Sequence, residues 1–124
     1  MSTRATYTFI DSYDTFHVYK HHDGYPSGAA KFIANAMLNA WSLPRYEADE
    51  FAAAFIAANK DGGGGIRMLH SGHWFVVSPG DIEYRYEVRC GRDGELLVTC
   101  YKINNDSDLL LYSGDLEGLA ALEG

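Results

Sequence analysis

Between Thr15 and Pro26 the chain gathers side chains that could do chemistry. His17, His21 and His22 supply imidazoles that titrate near neutral pH, Asp23 a carboxylate, and Tyr25 a phenol. They converge on the stretch Lys20-His21-His22-Asp23-Gly24-Tyr25-Pro26-Ser27-Gly28. Gly24 permits a positive φ, and Pro26 pushes Tyr25 away from helical backbone, which is turn chemistry. Pro26 suits a first helical position, and the helix it opens leaves N–H groups unpaired that could hold an anion. His17, His21, His22, Asp23 and Tyr25 are therefore the candidate binding residues. A strand-to-helix turn also needs most of these residue types for its own sake: Asp23 to cap, Tyr25 to pack, and the histidines in solvent. The chain pairs no nucleophile with either His21 or His22, so no catalytic residue is assigned.

Other candidate sites are weaker. His70 and His73 lie three apart in a turn, and zinc there would need a third ligand such as His21, His22 or Asp23. Gly62 to Gly65 could cradle phosphate, but here the order is helix, loop, strand, opposite to phosphate loops, and no Gly-Lys-Ser/Thr follows. That loop reads as a helix terminator and connector. No metal or other cofactor is expected.

The elements that must position the turn follow from periodicity. Residues 4–10 alternate, with Ala5, Tyr7 and Phe9 on one face, and Thr15 to Lys20 alternates again, with Phe16 and Val18 opposite His17 and Tyr19. Together they make a hairpin, and His17, Tyr19 and His21 share a face. From Ser27 to about Trp41 apolar residues recur at three and four, and a second helix runs from about Glu47 to Asn59 behind the acidic start Glu47, Asp49, Glu50. Ile33, Met37, Phe51 and Phe55 are its and its neighbour's core positions. Ile66–Leu69 and Trp74–Val77 flank the His70–His73 turn as strands. Ile82 to Cys90 is the clearest strand, with Glu83, Arg85, Glu87 and Arg89 on a solvated face of alternating sign. A three-residue loop with Gly94 in the left-handed position would set Cys90 opposite Leu96 and Tyr86 opposite Cys100, whereas a two-residue Asp93-Gly94 turn would slip the register and put Cys100 on the opposite face. Leu96 to Ile103 and Leu109 to Tyr112 follow as strands, and Asp115 to Leu122 as a short helix. The fold class is α+β: a mainly antiparallel sheet in the order β-β-α-α-β-β-β-β, two helices packed on one face, in a single domain over residues 1–124.

His21-His22-Asp23-Gly24-Tyr25-Pro26, read as His-X-Asp-Gly-Tyr-Pro directly after a short strand and leading into a helix, resembles a turn of small uncharacterised phage and bacterial proteins. The resemblance covers residues 1 to about 45. It implies a mobile-element setting and transfers no activity.

Composition narrows the function classes. The 124 residues carry 17 acids against 10 bases, a formal charge of −7, which disfavours direct nucleic-acid binding and suits docking on a basic surface of a host protein or nucleoprotein complex. No apolar run approaches the ~20 residues of a membrane span and Met1-Ser2-Thr3-Arg4 is no signal peptide, so a cytoplasmic setting in a bacterial cell, without membrane contact, is expected. Two cysteines form no disulfide framework. Edge strands of the sheet could join a homodimer. Two functions follow. The first is a small, acidic, phage-borne binding protein that inhibits a bacterial defence complex in the manner of an anti-CRISPR, without enzymatic activity. The second is a small-molecule or nucleotide site, conceivably hydrolytic, at the His21–Tyr25 turn.

Overall fold

The computed structural model describes residues 3–61, 65–69, 82–103 and 108–122. The strand expected at Trp74–Val77 and the His70–His73 turn lie outside the described residues. The elements run β1 (Ala5–Ile10), β2 (Thr15–Lys20), α1 (Pro26–Asn39), α2 (Ala48–Asn59), β3 (Ile66–Leu69), β4 (Tyr84–Cys90), β5 (Leu96–Ile103), β6 (Asp108–Asp115) and α3 (Leu116–Ala120). This is the α+β order expected. The six strands form one sheet, β3-β2-β1-β4-β5-β6, antiparallel throughout except for the parallel pair β1–β4.

β1 is central, and its inward residues Ala5, Tyr7 and Phe9 are fully buried against the helices. Alternation carries the same layer across the sheet through Val18, Tyr86, Val88, Val98 and Cys100. The helices answer with Ala29, Ile33, Ala36, Phe51, Ala52 and Phe55. Small alanines let α1 and α2 approach closely, while the phenylalanines fill the space above β1. Phe55 lies with ring centroids 4.7 Å from Tyr7 and 5.3 Å from Phe9. Met37, expected in this core, is half-buried at its margin. It stands too near the end of α1 for the sheet to cover it. α1 also stops at Asn39, so Trp41 lies beyond it, stacked on Arg45.

Asp11 explains how the first hairpin holds α2. Its Oδ1 accepts from the N–H groups of Tyr13 and Asp14 at 2.7 and 2.8 Å, closing the β1–β2 turn. Its Oδ2 accepts from Ala48 N, the first residue of α2, at 2.8 Å. The helix is thus capped by a remote side chain, because Glu47 at its N-cap makes no side-chain capping bond. These bonds, the Ala48 bond first, hold the Asp11 carboxyl below its ordinary value of 3.8. Folding favours the ionised form, so the contribution is present above pH 3.8 and is lost as pH falls through the depressed folded value. Asp11→Ala should lower stability by about 1–2 kcal/mol at neutral pH. Urea midpoints should show that difference shrinking on acidification below the unfolded value. A gap that stays constant down to pH 2 or so would contradict this account.

The β4–β5 hairpin has the expected register, with Cys90 paired to Leu96 and Tyr86 to Cys100, and Gly94 at φ 83. Both cysteines are free, Cys100 fully buried and Cys90 partly so. Burial pushes the Cys100 thiol up to about 11, so it stays protonated and inert. Alkylation of the native protein should label Cys90 faster than Cys100, and unfolding should yield two labelled thiols. Mass spectrometry showing a Cys90–Cys100 bridge would overturn the hairpin.

Candidate functional site

The turn after β2 is more tightly specified than its residue types suggest. The positive φ falls on Asp23, at 59°, and not on Gly24 as expected. Gly24 is needed for a different reason. A Cβ there would lie 2.6 Å from the Ala5 Cβ and 2.9 Å from the Thr3 carbonyl oxygen, so the turn backbone presses flat against β1. Gly24 N donates to that carbonyl at 2.9 Å, and the Tyr86 hydroxyl donates to the Gly24 carbonyl. Gly28, in the first turn of α1, faces the Asp23 carbonyl so closely that a Cβ would collide with it. Pro26 occupies the first helical position, with Tyr25 as an N-cap lacking a side-chain capping bond. Tyr25 is half-buried and packs against the core, outside the lining of the crevice described below.

The remaining candidates separate by strand parity. His17 and Tyr19 of β2, followed by His21, project from the sheet face opposite the helices. There the His17 Nδ1 lies 2.9 Å from the Thr8 hydroxyl. The His21 Nδ1 accepts from Arg4 Nε at 3.2 Å and lies 2.8 Å from the Tyr19 hydroxyl. Arginine only donates, so this Nδ1 carries no proton and the neutral ring holds its proton on Nε2. Desolvation, then the Arg4 charge, keeps His21 below the ordinary histidine value, and desolvation followed by Arg85 does the same for His17. Both rings are thereby biased toward the neutral form and held by their neighbours' side chains. Thr6, on the same face between them and Arg85, is 1% exposed, and its hydroxyl has no partner among the described residues.

Further along this face Arg85 and Glu87 of β4 are largely screened, while Arg89 is solvated as expected. Arg85 keeps only 14% of its side-chain exposure, stacks 4.1 Å over the Tyr101 ring, and binds Glu87 at 2.6 Å and Asp108 at 2.9 Å. Glu87 also meets Arg89 at 3.2 Å. Spacing of two along β4 puts Arg85, Glu87 and Arg89 on one face, and Asp108 reaches Arg85 from β6 across β5, so these charges neutralise one another and make no basic track.

His22 and Asp23 are exposed and turn the other way, to the edge of the helix layer. The His22 ring still meets the His21 ring edge-on at 4.6 Å. His22 and Asp23 line a crevice of about 350 Å³ between sheet and helices, together with Lys20, Phe32, Asp61 and Ile66. Lys20 is its buried floor. The structure thus brings His17 and His21 into one hydrogen-bonded layer, His22 and Asp23 into another, and removes Tyr25 from both.

Comparison of the chain with protein families, curated proteins and solved structures finds no match. Its own geometry therefore has to carry the reading. Among the described residues no three His, Cys, Asp or Glu side chains group to hold a metal ion. No helix among them is long and apolar enough to cross a membrane. Lys20 was missed as a candidate because lysine ordinarily faces solvent. Its parity with Phe16 and Val18 was the available signal, since all three share the inward face of β2.

The sheet edge away from the turn carries a second feature. Among the described residues β6 pairs with β5 alone, and its residues Leu109, Leu110 and Leu111 are 53%, 57% and 43% exposed. The register slips between Cys100 and Tyr101, so Leu111 is an extra residue that bulges the strand.

Proposed function

We propose that this chain is a phage- or prophage-borne protein-binding module that inhibits a bacterial defence complex, such as a CRISPR effector, by docking on a basic protein surface. The observation that carries the docking is β6: an edge strand with three consecutive exposed leucines. An edge leaves one row of backbone donors and acceptors for a partner strand, and evolution ordinarily guards such edges with charge or proline. Here apolar side chains stand in their place. The net charge of −7 supplies the complementarity to a basic partner. The turn at His21–Pro26 supplies the phage setting, through its resemblance to small phage proteins.

The test is phage plaquing on a bacterium with an active CRISPR defence, with and without the chain expressed. Restored plaquing, and a stoichiometric complex with the purified effector on size exclusion, are expected. Leu110→Asp with Leu111→Asp should weaken that complex by at least about tenfold, the scale of an interface hot spot, while leaving the melting temperature near its parent value. Unchanged plaquing across effector types would overturn the reading. So would a homodimer closed through β6, because the edge would then be covered by a second copy.

A further inference from the structure

We propose that the crevice beside the turn is a binding site for a small zwitterion of the α-amino-acid type, whose carboxylate sits on Lys20 and whose ammonium faces Asp23 and Asp61. The site holds whether or not β6 docks on a defence complex.

Lys20 ends β2 on the face that Phe16 and Val18 turn to the core, and the residue is 8% exposed. Its Nζ lies 3.9 Å from the centre of the Phe32 ring on α1. An ammonium has three N–H donors. Among the described residues one hydrogen bond uses them, a long one of 3.4 Å to the His22 carbonyl oxygen. No carboxylate contacts the ammonium there either. A buried cation ordinarily has a paired anion and filled hydrogen bonds, since its desolvation is costly. Lys20 therefore presents, at the floor of the crevice, donors that the described residues leave unfilled, which is what an incoming carboxylate needs.

The rim sets the rest of the ligand. Asp23 and Asp61 both line the crevice, both are exposed, and both act on the Lys20 charge through space. A simple anion would meet Lys20 only by passing two carboxylates of its own sign. A simple cation would be held at the rim and repelled by the floor. A molecule with both charges satisfies floor and rim together. The volume of about 350 Å³ is at the small end of ligand sites, which suits an amino acid better than a nucleotide. Phe32 and Ile66 give its side chain an apolar wall. Desolvation draws the Lys20 ammonium below its ordinary value while the two aspartates oppose that shift, so the floor is the group whose charge a bound carboxylate would restore.

Saturation-transfer NMR with each standard α-amino acid at millimolar concentration tests the site on the full chain. At least one should bind. For the tightest, the decarboxylated amine and the deaminated acid should each bind at least about tenfold more weakly, because each leaves one buried or facing charge unmatched. Asp61 is exposed, so Asp61→Asn probes the rim without touching the core, and it should weaken the amino acid more than the deaminated acid. Lys20→Gln should abolish binding. Should that variant fail to fold, the two analogues and Asp61→Asn still decide. No amino acid bound at millimolar concentration would overturn the proposal. So would a deaminated acid that binds as tightly as the amino acid, or an Asp61→Asn variant with parental affinity.

Discussion

Phe55→Ala should cost about 3–5 kcal/mol of stability, the largest loss of any single truncation in the helix layer. Phe55 is fully buried and meets both aromatic residues of the central strand, Tyr7 and Phe9. Removing the ring strips area from water-excluded contact and leaves a cavity that neighbours on a rigid sheet and a close-packed helix pair cannot fill by collapse. Tyr7 makes the site less forgiving still. Its hydroxyl is buried without a partner among the described residues, and burial drives its ionisation far upward. Met37→Ala should cost clearly less, because Met37 is half-buried beside a groove that already admits solvent. Denaturant midpoints with matched slopes measure both. A Phe55→Ala loss no larger than that of Met37→Ala would contradict the assignment of Phe55 to the centre of the core.

What the sequence disclosed was mostly local. Turn chemistry offered the Arg92-Asp93-Gly94 stretch two closures, and the three-residue one gives the pairing of Cys90 with Leu96 that is found. The parity of Ala5, Tyr7 and Phe9 likewise assigned the inward face of β1. The central place of β1 was not legible. Its intervening residues Thr6 and Thr8 are polar, yet both are buried. The cause is the parallel pairing of β1 with β4, a contact between residues some eighty positions apart that no local pattern encodes. The extent of β6 was hidden for a related reason. A bulge at Leu111 breaks the period of two that marks a strand, so Leu109 to Tyr112 was the part expected, where the strand runs from Asp108 to Asp115.

The candidate site shows the same division. Residue types at positions 17 to 25 pointed to one polar mouth, but a strand sends alternate side chains to opposite faces. His17 and His21 consequently reach the open sheet surface, while Lys20 and His22 serve the crevice. What unites them is the turn backbone, which the glycines hold against β1. A turn this constrained explains why Asp, Gly, Pro and Gly stand together here without any call on catalysis. The Asp23 carbonyl and the first turn of α1 also form one wall of packed backbone, with Gly28 set directly against that carbonyl.

That wall gives the second large expected effect. Gly28→Ala should destabilise the fold by about 3 kcal/mol, the upper end of ordinary overpacking, even though alanine is the better helix former by about 1 kcal/mol. The added Cβ would strike the Asp23 carbonyl oxygen, and backbone cannot rotate aside as a side chain can. Gly24→Ala should also destabilise, since its Cβ would press on the Ala5 side chain and the Thr3 carbonyl. Asp23→Gly is the contrasting change. Asp23 sits at φ 59, where glycine carries no steric cost, so stability should move by less than about 1 kcal/mol. The three variants together separate sterics from backbone dihedral preference. If positive φ were what the turn demanded, Asp23→Gly would be the variant with the largest effect, in the stabilising direction, and the two alanine changes would be mild. Thermal melts that find Gly28→Ala as stable as the parent would show that α1 can slide away from the turn, and would contradict the close packing of Gly28 on the Asp23 carbonyl.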